Sequence, residues 1–371
     1  MTRRARTRAR SWLCAGLVAC HGRGGSESNA PHPSLSIVAP ALAAPENGGG
    51  PPTPALPKRF RLTPMGGIGF DDLFFTSESD SVLAPAGGTG CVELFDARNL
   101  ERTSVCGIGS GGAYAGGHGE GTTSADFGAG LLFAIDRGSQ SVLAIDPKHS
   151  DLRANARLSG EPDYVRWVSS QQEVWVTEPG TEQIEIFALE SASPPRLARV
   201  GAIAVPGGPE SLVIDDGKQR AFTHLWAGRT VQIELATRKV GESFPNGCKG
   251  SRGIALDPVR GQLFAGCSEG KAVTLDVDHG GKIVSSASTP SGVDIIALNR
   301  TLHHLYLPAA SDGSLTILGV GALGNFNKLG VLSLAKGTHC AASDDHNRIW
   351  ACSPEDGTVM VFDDPFAPVT E

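Results

Sequence analysis

Three features of the sequence predict an all-β fold built from a repeated unit. In the stretch Leu305–Val320, LYLPAASDGSLTILGV, a short apolar run leads into a turn rich in Gly and Asp and then into a second run. Near-copies of this unit recur at intervals of 42 to 50 residues. In the second run apolar and polar residues alternate, which is the pattern of a strand with one buried face. Repeats of this kind decide the architecture of the whole chain.

The unit occurs seven times. Its first apolar run begins at Val82, Leu132, Val174, Ala221, Leu263, Leu305 and Ile349. A further β-like segment precedes each pair and another follows it, so each copy supplies four strands. Seven copies of four strands predict a seven-bladed β-propeller with four-stranded antiparallel blades. One or two β-sandwiches would show similar turn spacing, but they do not predict seven copies of one unit.

The ring has to be closed by a strand from the other end of the chain. The last repeat offers strands only near Thr338–Ser343, Arg348–Ser353 and Thr358–Asp363 before the sequence stops. The segment Lys58–Thr63, KRFRLT, has no other partner. We therefore expect this N-terminal strand to complete the last blade beside the segment that ends at Asp363.

The first 57 residues differ from the rest in composition. Residues 1–20 combine five arginines with a short apolar stretch, Trp12–Ala19, which is the layout of a secretory signal. Leu17–Cys20, LVAC, resembles the lipobox of bacterial lipoproteins and implies lipidation of Cys20. The alternative is an ordinary signal cut elsewhere, for instance after Ala43. Residues 21–57 are rich in Pro, Gly and Ala and predict a disordered tether.

Residues 58–371 form the predicted propeller domain. The leader holds six of the 32 Lys and Arg and two of the 39 Asp and Glu, which leaves the domain with a net charge near −11. So acidic a domain is a poor match for nucleic acid, whose binding depends on neutralising phosphates. We expect a monomer in the periplasm or on the outer membrane, with the lipid anchor as its one membrane contact.

The six cysteines of the domain fall into three close pairs. Hairpin register brings Cys91 opposite Cys106, and Cys340 and Cys352 are nearly equidistant from the turn between them. Cys248 and Cys267 flank another turn. Export, even number and local register favour three disulfides within blades. The alternative, metal binding, lacks a CxxC motif or a Cys/His cluster of ligand spacing.

The repeat resembles the YVTN-type propeller and is similar to YncE-like and lactonase-like seven-bladed proteins. The resemblance rests on LYLPAASDGSLTILGV, RIWACSPEDGTVMVFD and EVWVTEPGTEQIEIFAL. It implies that the first strand of each blade lines a central channel. It also implies that one rim carries the connections between blades and the turns between second and third strands, and that ligands bind at this rim.

On that scheme several charged residues converge on one channel mouth. They are Asp163, Glu210, Arg252, Asp294 and His339, with His118 or Glu120 joining from the Gly-rich run 107–130. Such a set suits a metal, a sugar acid or a peptide. The alternative is that a wet channel mouth is simply polar, with its charges paired or solvated. Trp226, in a turn near the same rim, is a further contact candidate or else only caps a turn.

No complete catalytic set is apparent in the sequence. The GxGxxG at 107–112 is not followed by a helix, and Ser110 lacks the G-x-S-x-G frame. In gluconolactonase-type propellers a Glu, an Asn and an Asp hold a divalent cation; Glu210 matches the Glu, but no Asn lies at a matching strand start. A cation would therefore depend on Asp163, Glu210 and Asp294.

These features predict an exported binding or scaffold module for a protein or cell-envelope ligand, without an enzymatic activity. The alternative is a metal-assisted, lactonase-like hydrolase at the channel mouth. A third reading is a partner of a redox chain, which would have to receive its cofactor from elsewhere because the chain has no CxxCH haem motif.

Overall fold

Each copy of the repeated unit forms one four-stranded antiparallel sheet. The computed structural model describes residues 56–64, 66–109, 111–191 and 194–370, and within them 28 strands form seven such sheets. The predicted all-β, seven-bladed propeller is therefore confirmed. The predicted signal segment 1–20 with Cys20, and the tether as far as residue 55, lie outside the described residues, so both stay predictions.

Strands follow in chain order from the channel to the outer edge in blades one to six. Blade one contains β2 (Phe74–Thr76), β3 (Ser81–Pro85), β4 (Cys91–Asp96) and β5 (Arg102–Cys106). Blade two contains β6 (Ala125–Gly128), β7 (Leu131–Asp136), β8 (Ser141–Asp146) and β9 (Asp151–Arg157). Blade three contains β10 (Val165–Val168), β11 (Glu173–Glu178), β12 (Gln183–Glu190) and β13 (Arg196–Ala204). Blade four contains β14 (Val213–Asp215), β15 (Arg220–Leu225), β16 (Arg229–Glu234) and β17 (Lys239–Pro245). Blade five contains β18 (Ser251–Asp257), β19 (Gln262–Cys267), β20 (Lys271–Asp276) and β21 (Lys282–Ser288). Blade six contains β22 (Ala297–Asn299), β23 (His304–Ala309), β24 (Ser314–Val320) and β25 (Phe326–Ser333). In the part of the chain that the structure describes, three single-turn 3-10 helices lie at Ser169–Gln171, Pro179–Thr181 and Asp216–Lys218.

The seventh blade joins the two ends of the described chain. It consists of β26 (Ala341–Ser343), β27 (Arg348–Ser353), β28 (Thr358–Asp363) and, at its outer edge, β1 (Lys58–Arg61). Strand β1 pairs antiparallel with β28, with Lys58 opposite Val361 and Phe60 opposite Val359. The predicted closing strand is thus confirmed. The innermost strands contact their neighbours around the ring, including β26 with β2, so the channel is enclosed.

Local turn chemistry explains why the acidic, Gly-containing turns recur. In the turn before β24, the Asp312 carboxylate accepts hydrogen bonds from the backbone N–H (3.1 Å) and hydroxyl (2.7 Å) of Ser314. Gly313 has a φ of +69°, and a Cβ there would lie 2.6 Å from the Ala335 carbonyl carbon. Only glycine meets both requirements, so the motif is set by the turn.

The core is divided among the spaces between adjacent blades. Alternate residues of the middle strands are buried there, and the Phe133 and Trp167 rings stack with centroids 5.1 Å apart between blades two and three. Trp175 and Trp350 are fully buried, yet their indole N–H groups donate to Glu173 (2.9 Å) and to Asp344 (2.8 Å). The rings thus fill the core with their polar atoms satisfied.

Three disulfides brace individual blades. They join Cys91 to Cys106, Cys248 to Cys267 and Cys340 to Cys352, which confirms the predicted pairing. Cys91 and Cys106 lie directly opposite each other on β4 and β5, as the hairpin register requires. Three disulfides indicate an oxidising, extracytoplasmic environment. Within the described part of the chain, no helix has the length and apolar character needed to span a bilayer.

Candidate functional site: the channel mouth

Five residues lie together at one end of the channel, which we call the channel mouth. Each comes from the start of the innermost strand of one of blades three to seven. These residues are Asp163, Glu210, Arg252, Asp294 and His339. Backbone hydrogen bonds fix their positions; for example, the Glu210 N–H donates to the His224 carbonyl (2.9 Å) and the Asp163 N–H to the Thr177 carbonyl (2.9 Å). The sequence-predicted set therefore lies at one end of the ring.

Arg137 binds three acidic groups at the mouth. It lies in the turn after β7 and its guanidinium donates to Asp163, to Asp71 (3.2 Å) and to Glu161 (3.2 Å). Its Nε donates to the Thr123 hydroxyl (2.9 Å), which belongs to blade two. Blades one, two and three are thus joined at the mouth by one planar, five-donor side chain.

Glu210 is bound on one side by a residue of its own blade, blade four, and on the other by a residue of blade five. The Trp226 indole N–H donates to one carboxylate oxygen and the Arg252 guanidinium donates to the other. Trp226 lies in the turn between β15 and β16 and is 45% exposed, whereas Glu210 is buried. The buried carboxylate therefore fixes both the half-exposed indole and the guanidinium at the rim.

His118 brings the connection between blades one and two over the mouth. Its Nδ1 lies 3.1 Å from the Asp71 carboxylate and its Nε2 lies 3.9 Å from that of Asp294. The His118 and His339 rings stack with centroids 5.7 Å apart. His339 is itself held by carbonyl oxygens on both nitrogens, those of Gly337 (2.7 Å) and Phe70 (2.9 Å).

The same connection, described over residues 107–109 and 111–124, reaches back across blade one to blade seven. The Tyr114 hydroxyl donates to Glu355 of blade seven (3.2 Å), and a Cβ on Gly69 would lie 2.6 Å from the Gly117 carbonyl oxygen. Glu120 accepts a hydrogen bond from the Gly112 N–H (3.0 Å) and so closes the loop on itself. The loop therefore lies over part of the mouth.

Burial changes the ionisation of the acidic groups at the mouth. It raises the pKa of Glu210 to about 7, although the Arg252 guanidinium opposes the change. It also raises the pKa values of Asp163 and Asp294, and in both the negative charge of Asp71 adds to the effect. Three of the mouth carboxylates thus resist ionisation more than they would in water.

The Asp71–His118 contact shifts both partners toward their charged forms. The Asp71 carboxylate raises the pKa of His118 to about 9, against the opposing effect of burial. Burial opposes the ionisation of Asp71, but His118 and Arg137 together hold its pKa below the ordinary value. Both shifts favour an ion pair at neutral pH.

Two open cavities flank the loop. One of about 400 Å³ lies between the loop and blades five to seven, and its lining includes Tyr114, His118, Arg252, Asp294 and His339; we call it the mouth cleft. The other, of about 550 Å³, lies under residues 112–120 against blade one. Both are large enough for a small molecule or a peptide end.

The geometry fits a metal poorly. Among the described residues, His118, Asp294 and His339 have potential ligand atoms within 4.8 Å of one another, but both nitrogens of His339 face carbonyl oxygens and direct no lone pair into the cleft. A second group consists of His339 with two cysteines that are joined in a disulfide. Of the sequence-predicted ligands, Asp163 and Glu210 are held by arginines.

The sequence analysis did not identify Asp71 and Arg137. Asp71 precedes β2 in GFDD much as Asp163 precedes β10 in GEPDYV, so aligning the blades would have found it. Arg137 carries no such signal, because its turn resembles the other acidic turns and only the ring brings it to Asp163.

A separate cavity of about 360 Å³ lies inside the channel, away from this cluster. Its lining includes Arg166, whose guanidinium is buried and bidentate to Asp72 (2.6 and 2.9 Å) and lies 4.3 Å from the Phe74 ring centroid. Every charge of that pair is compensated within the protein, so we assign it to structure.

The comparisons identify the fold and no family. No family model matches the chain, and no curated protein matches it. The chain is similar to a solved structure titled Crystal Structure of Mitotic Checkpoint Complex, with a TM-score of 0.68 and 11% identity over 91% of this chain and 99% of that one. It is also similar to Kuenenia stuttgartiensis Hydrazine Synthase, with a TM-score of 0.65 and 12% identity over 81% of this chain and 97% of that one. These likenesses support the propeller fold, while membership of the YVTN-type family stays a prediction.

Proposed function

We propose that the protein is an exported binding module that engages a protein or a cell-envelope ligand through the rim around the channel mouth. The fold alone does not decide this, since propellers of this shape occur in a structure titled as a complex and in one titled as a synthase. The proposal includes a membrane tether through Cys20 and residues 21–57.

The observation that carries the proposal is the arrangement of Trp226 and Arg252 on Glu210. Tryptophan and arginine are the residues most enriched where binding energy concentrates in interfaces. Here a buried carboxylate orients both before a partner arrives. Because the two side chains are already held, ordering them on binding costs little conformational entropy.

The rigid ring supports the same function. Three disulfides and the closing strand β1 hold the blades, so the rim presents a fixed surface. Small changes of backbone on binding are typical of such preorganised surfaces. A fixed surface that carries charge of both signs suits a polar macromolecular partner.

The test is site-specific photo-crosslinking of the full-length protein in the cells that export it. A crosslinker at position 226 should capture a defined partner or envelope polymer, and Arg252→Ala should abolish the capture. The matched control is a crosslinker at Val259, which is 87% exposed in the turn between β18 and β19 and therefore on the opposite rim. Equal capture at both positions, or none at 226, would contradict the proposal.

Lactone hydrolysis is the second candidate, because Glu210 has the pKa of about 7 that suits a general base. The metal-assisted form of this reaction does not fit, since the acidic groups are held by arginines and His339 by carbonyls. A lactone panel assayed with EDTA and with millimolar Mn²⁺, Zn²⁺ or Ca²⁺ tests both versions. Turnover that disappears in Glu210→Gln would favour the hydrolase, and a metal requirement would show that the side chains rearrange.

A further inference from the structure

Asp294 differs from the other acidic groups at the channel mouth. Asp163 and Glu210 each accept a hydrogen bond from an arginine, and Asp71 contacts both Arg137 and His118. Within the described residues the Asp294 carboxylate accepts no hydrogen bond, and its single cationic neighbour within 4.0 Å is His118 Nε2 at 3.9 Å. Its side chain is 22% exposed, so its lone pairs are available to a ligand in the cleft.

Among the described residues, Arg252 has hydrogen-bond donors without acceptors, which complements the free lone pairs of Asp294. One of its terminal nitrogens donates to Glu210, while the other and Nε donate to no acceptor in the described part of the protein. Its side chain is 39% exposed toward the mouth cleft. A guanidinium has five N–H groups in a planar fork, and most of these remain available.

These two groups share one cleft without pairing with each other. Both line the 400 Å³ mouth cleft, yet no contact within 4.0 Å joins Arg252 to Asp294 in the described structure. Most buried or half-buried charges in this protein do have such partners, as Arg137 and Arg166 illustrate. An anion and a cation held apart, each with bonding capacity left over, form a recognition pair for a ligand that carries both charges.

We propose that the mouth cleft binds a small zwitterion, with its ammonium group on Asp294 and its carboxylate on the Arg252 fork. Guanidinium and carboxylate match in geometry, and an ammonium supplies the donors that Asp294 lacks. A ligand with one charge would leave the other protein group unmatched. The cleft, of about 400 Å³, has room for an amino acid. This goes beyond the proposed macromolecular contact at Trp226 and does not depend on it.

The surroundings of Asp294 predict how this binding responds to pH. Burial and then the charge of Asp71 raise the pKa of Asp294, whereas His339, His118 and Arg252 lower it. An ammonium group placed on the carboxylate favours its ionised form. The affinity should therefore fall as the pH is lowered through the titration of Asp294.

The experiment is isothermal titration calorimetry on the full-length protein at pH 7.5 with a spacing series of glycine, β-alanine and γ-aminobutyrate, together with the common L- and D-amino acids. N-acetylglycine lacks the ammonium and glycinamide lacks the carboxylate. Triglycine carries both charges farther apart and separates a peptide end from a free amino acid. We expect saturable binding of at least one zwitterion and loss of binding when either charge is removed.

Variants then assign the two contacts. Asp294→Asn keeps the shape and removes the charge, and Arg252→Lys keeps the charge and removes the fork. Asp294→Asn should weaken binding on the order of 30-fold, the loss expected when one partner of a close charge contact is removed. Arg252→Lys should weaken binding less, because it loses the bidentate geometry and keeps the charge. Asp345→Asn, an exposed carboxylate in the turn between β26 and β27 at the opposite rim, is the matched control and should bind as the wild type does.

Three outcomes would overturn the proposal. The first is no binding by any zwitterion of the panel to a protein that melts cooperatively. The second is equal binding of glycine and N-acetylglycine, and the third is unchanged binding by Asp294→Asn. None of these outcomes bears on crosslinking at Trp226, so the two proposals fail separately. Melting curves of both variants show whether a loss reflects unfolding, and Arg252→Lys covers the case in which Asp294→Asn fails to fold.

Discussion

Asp364 and Tyr306 are joined by a buried hydrogen bond between blades seven and six. The Tyr306 hydroxyl donates to the Asp364 carboxylate (2.6 Å), and His304 Nδ1 lies 2.7 Å from the same oxygen. Burial raises the pKa of the Tyr306 hydroxyl, so it remains a donor at neutral pH. The chain after β28 continues along blade six, where the Val369 N–H donates to the Leu302 carbonyl (3.0 Å). The C-terminal segment therefore fastens the last blade to its neighbour.

Tyr306→Phe should destabilise the fold by about 1–3 kcal/mol, because it removes a buried hydrogen bond to the Asp364 carboxylate and leaves His304 as the remaining partner of that oxygen. Chemical denaturation of the full-length protein measures the change. Tyr114→Phe is the matched control: it removes the same hydroxyl from a partly exposed contact with Glu355 and should change stability by about 0.5 kcal/mol or less. Equal effects of the two variants would show that the Tyr306–Asp364 hydrogen bond contributes no more to stability than the partly exposed Tyr114–Glu355 contact.

The closing strand β1 supplies a second test of stability. The Phe60 ring lies 4.9 Å from that of Phe95 in blade one and 6.5 Å from that of Trp350 in blade seven. Phe60→Ala should lower the free energy of unfolding by about 2–3 kcal/mol. This is at or below the lower end of the range for a buried Phe, because Phe60 is only partly buried.

Deleting residues 58–64 should lower the melting temperature further, because β28 then becomes an unpaired edge strand. Arg59→Ala, whose side chain is exposed in the same strand, is the control and should melt near the wild-type temperature. An unchanged melt after the deletion would contradict the role of β1 as a clasp.

His118 should titrate with a midpoint of about 9, since the Asp71 carboxylate raises its pKa. NMR of the imidazole measures this midpoint, and Asp71→Asn should move it down toward the ordinary value near 6.5. A group whose pKa is raised by folding contributes fully to native-state stability at pH values below its pKa in the unfolded chain. This contribution is lost as the pH rises through the folded-state pKa, which is about 9 for His118. The stability difference between wild type and His118→Gln should therefore shrink between pH 7 and pH 10. A constant difference over that interval would show that the ion pair does not form.

The Trp226 indole should report the ionisation of Glu210. Because the indole N–H donates to a carboxylate whose pKa is raised to about 7 by burial, its ¹⁵N and ¹H shifts should change with a midpoint near pH 7. The change should disappear in Glu210→Gln. A raised carboxyl pKa makes the native state less stable as the pH rises from the ordinary Glu value to about 7. Glu210→Gln should thus gain stability relative to wild type between pH 5 and pH 8, and an indole shift that persists in this variant would assign the titration to another group.

Much of the fold was predictable because its causes are local. The alternation of apolar and polar residues in β24 and β28 can be read from consecutive residues, and so can the Asp312–Gly313 turn. Counting the strands of the last repeat was enough to predict β1. The Cys91–Cys106 pair followed from hairpin register, since opposite residues of a short hairpin must meet.

The site was predictable only in part. Equivalent positions in successive blades must reach the same end of a ring, so the convergence of Asp163, Glu210 and Asp294 could be inferred. Which charge pairs with which could not be inferred. Arg137 reaches Asp71 across 66 positions of sequence, a contact that depends on the radius of the ring and on the path of a turn.

The sequence by itself thus determined the number of blades, the closure of the ring and the disulfides, because periodicity, turn chemistry and hairpin register act over a few residues. Only the tertiary structure decided that His118 lies on Asp71, that Asp364 meets Tyr306 and that Asp294 and Arg252 line one cleft without contacting each other. Such contacts join side chains that are distant in sequence. Their distances follow from how seven blades pack around an axis, and no local pattern encodes that packing.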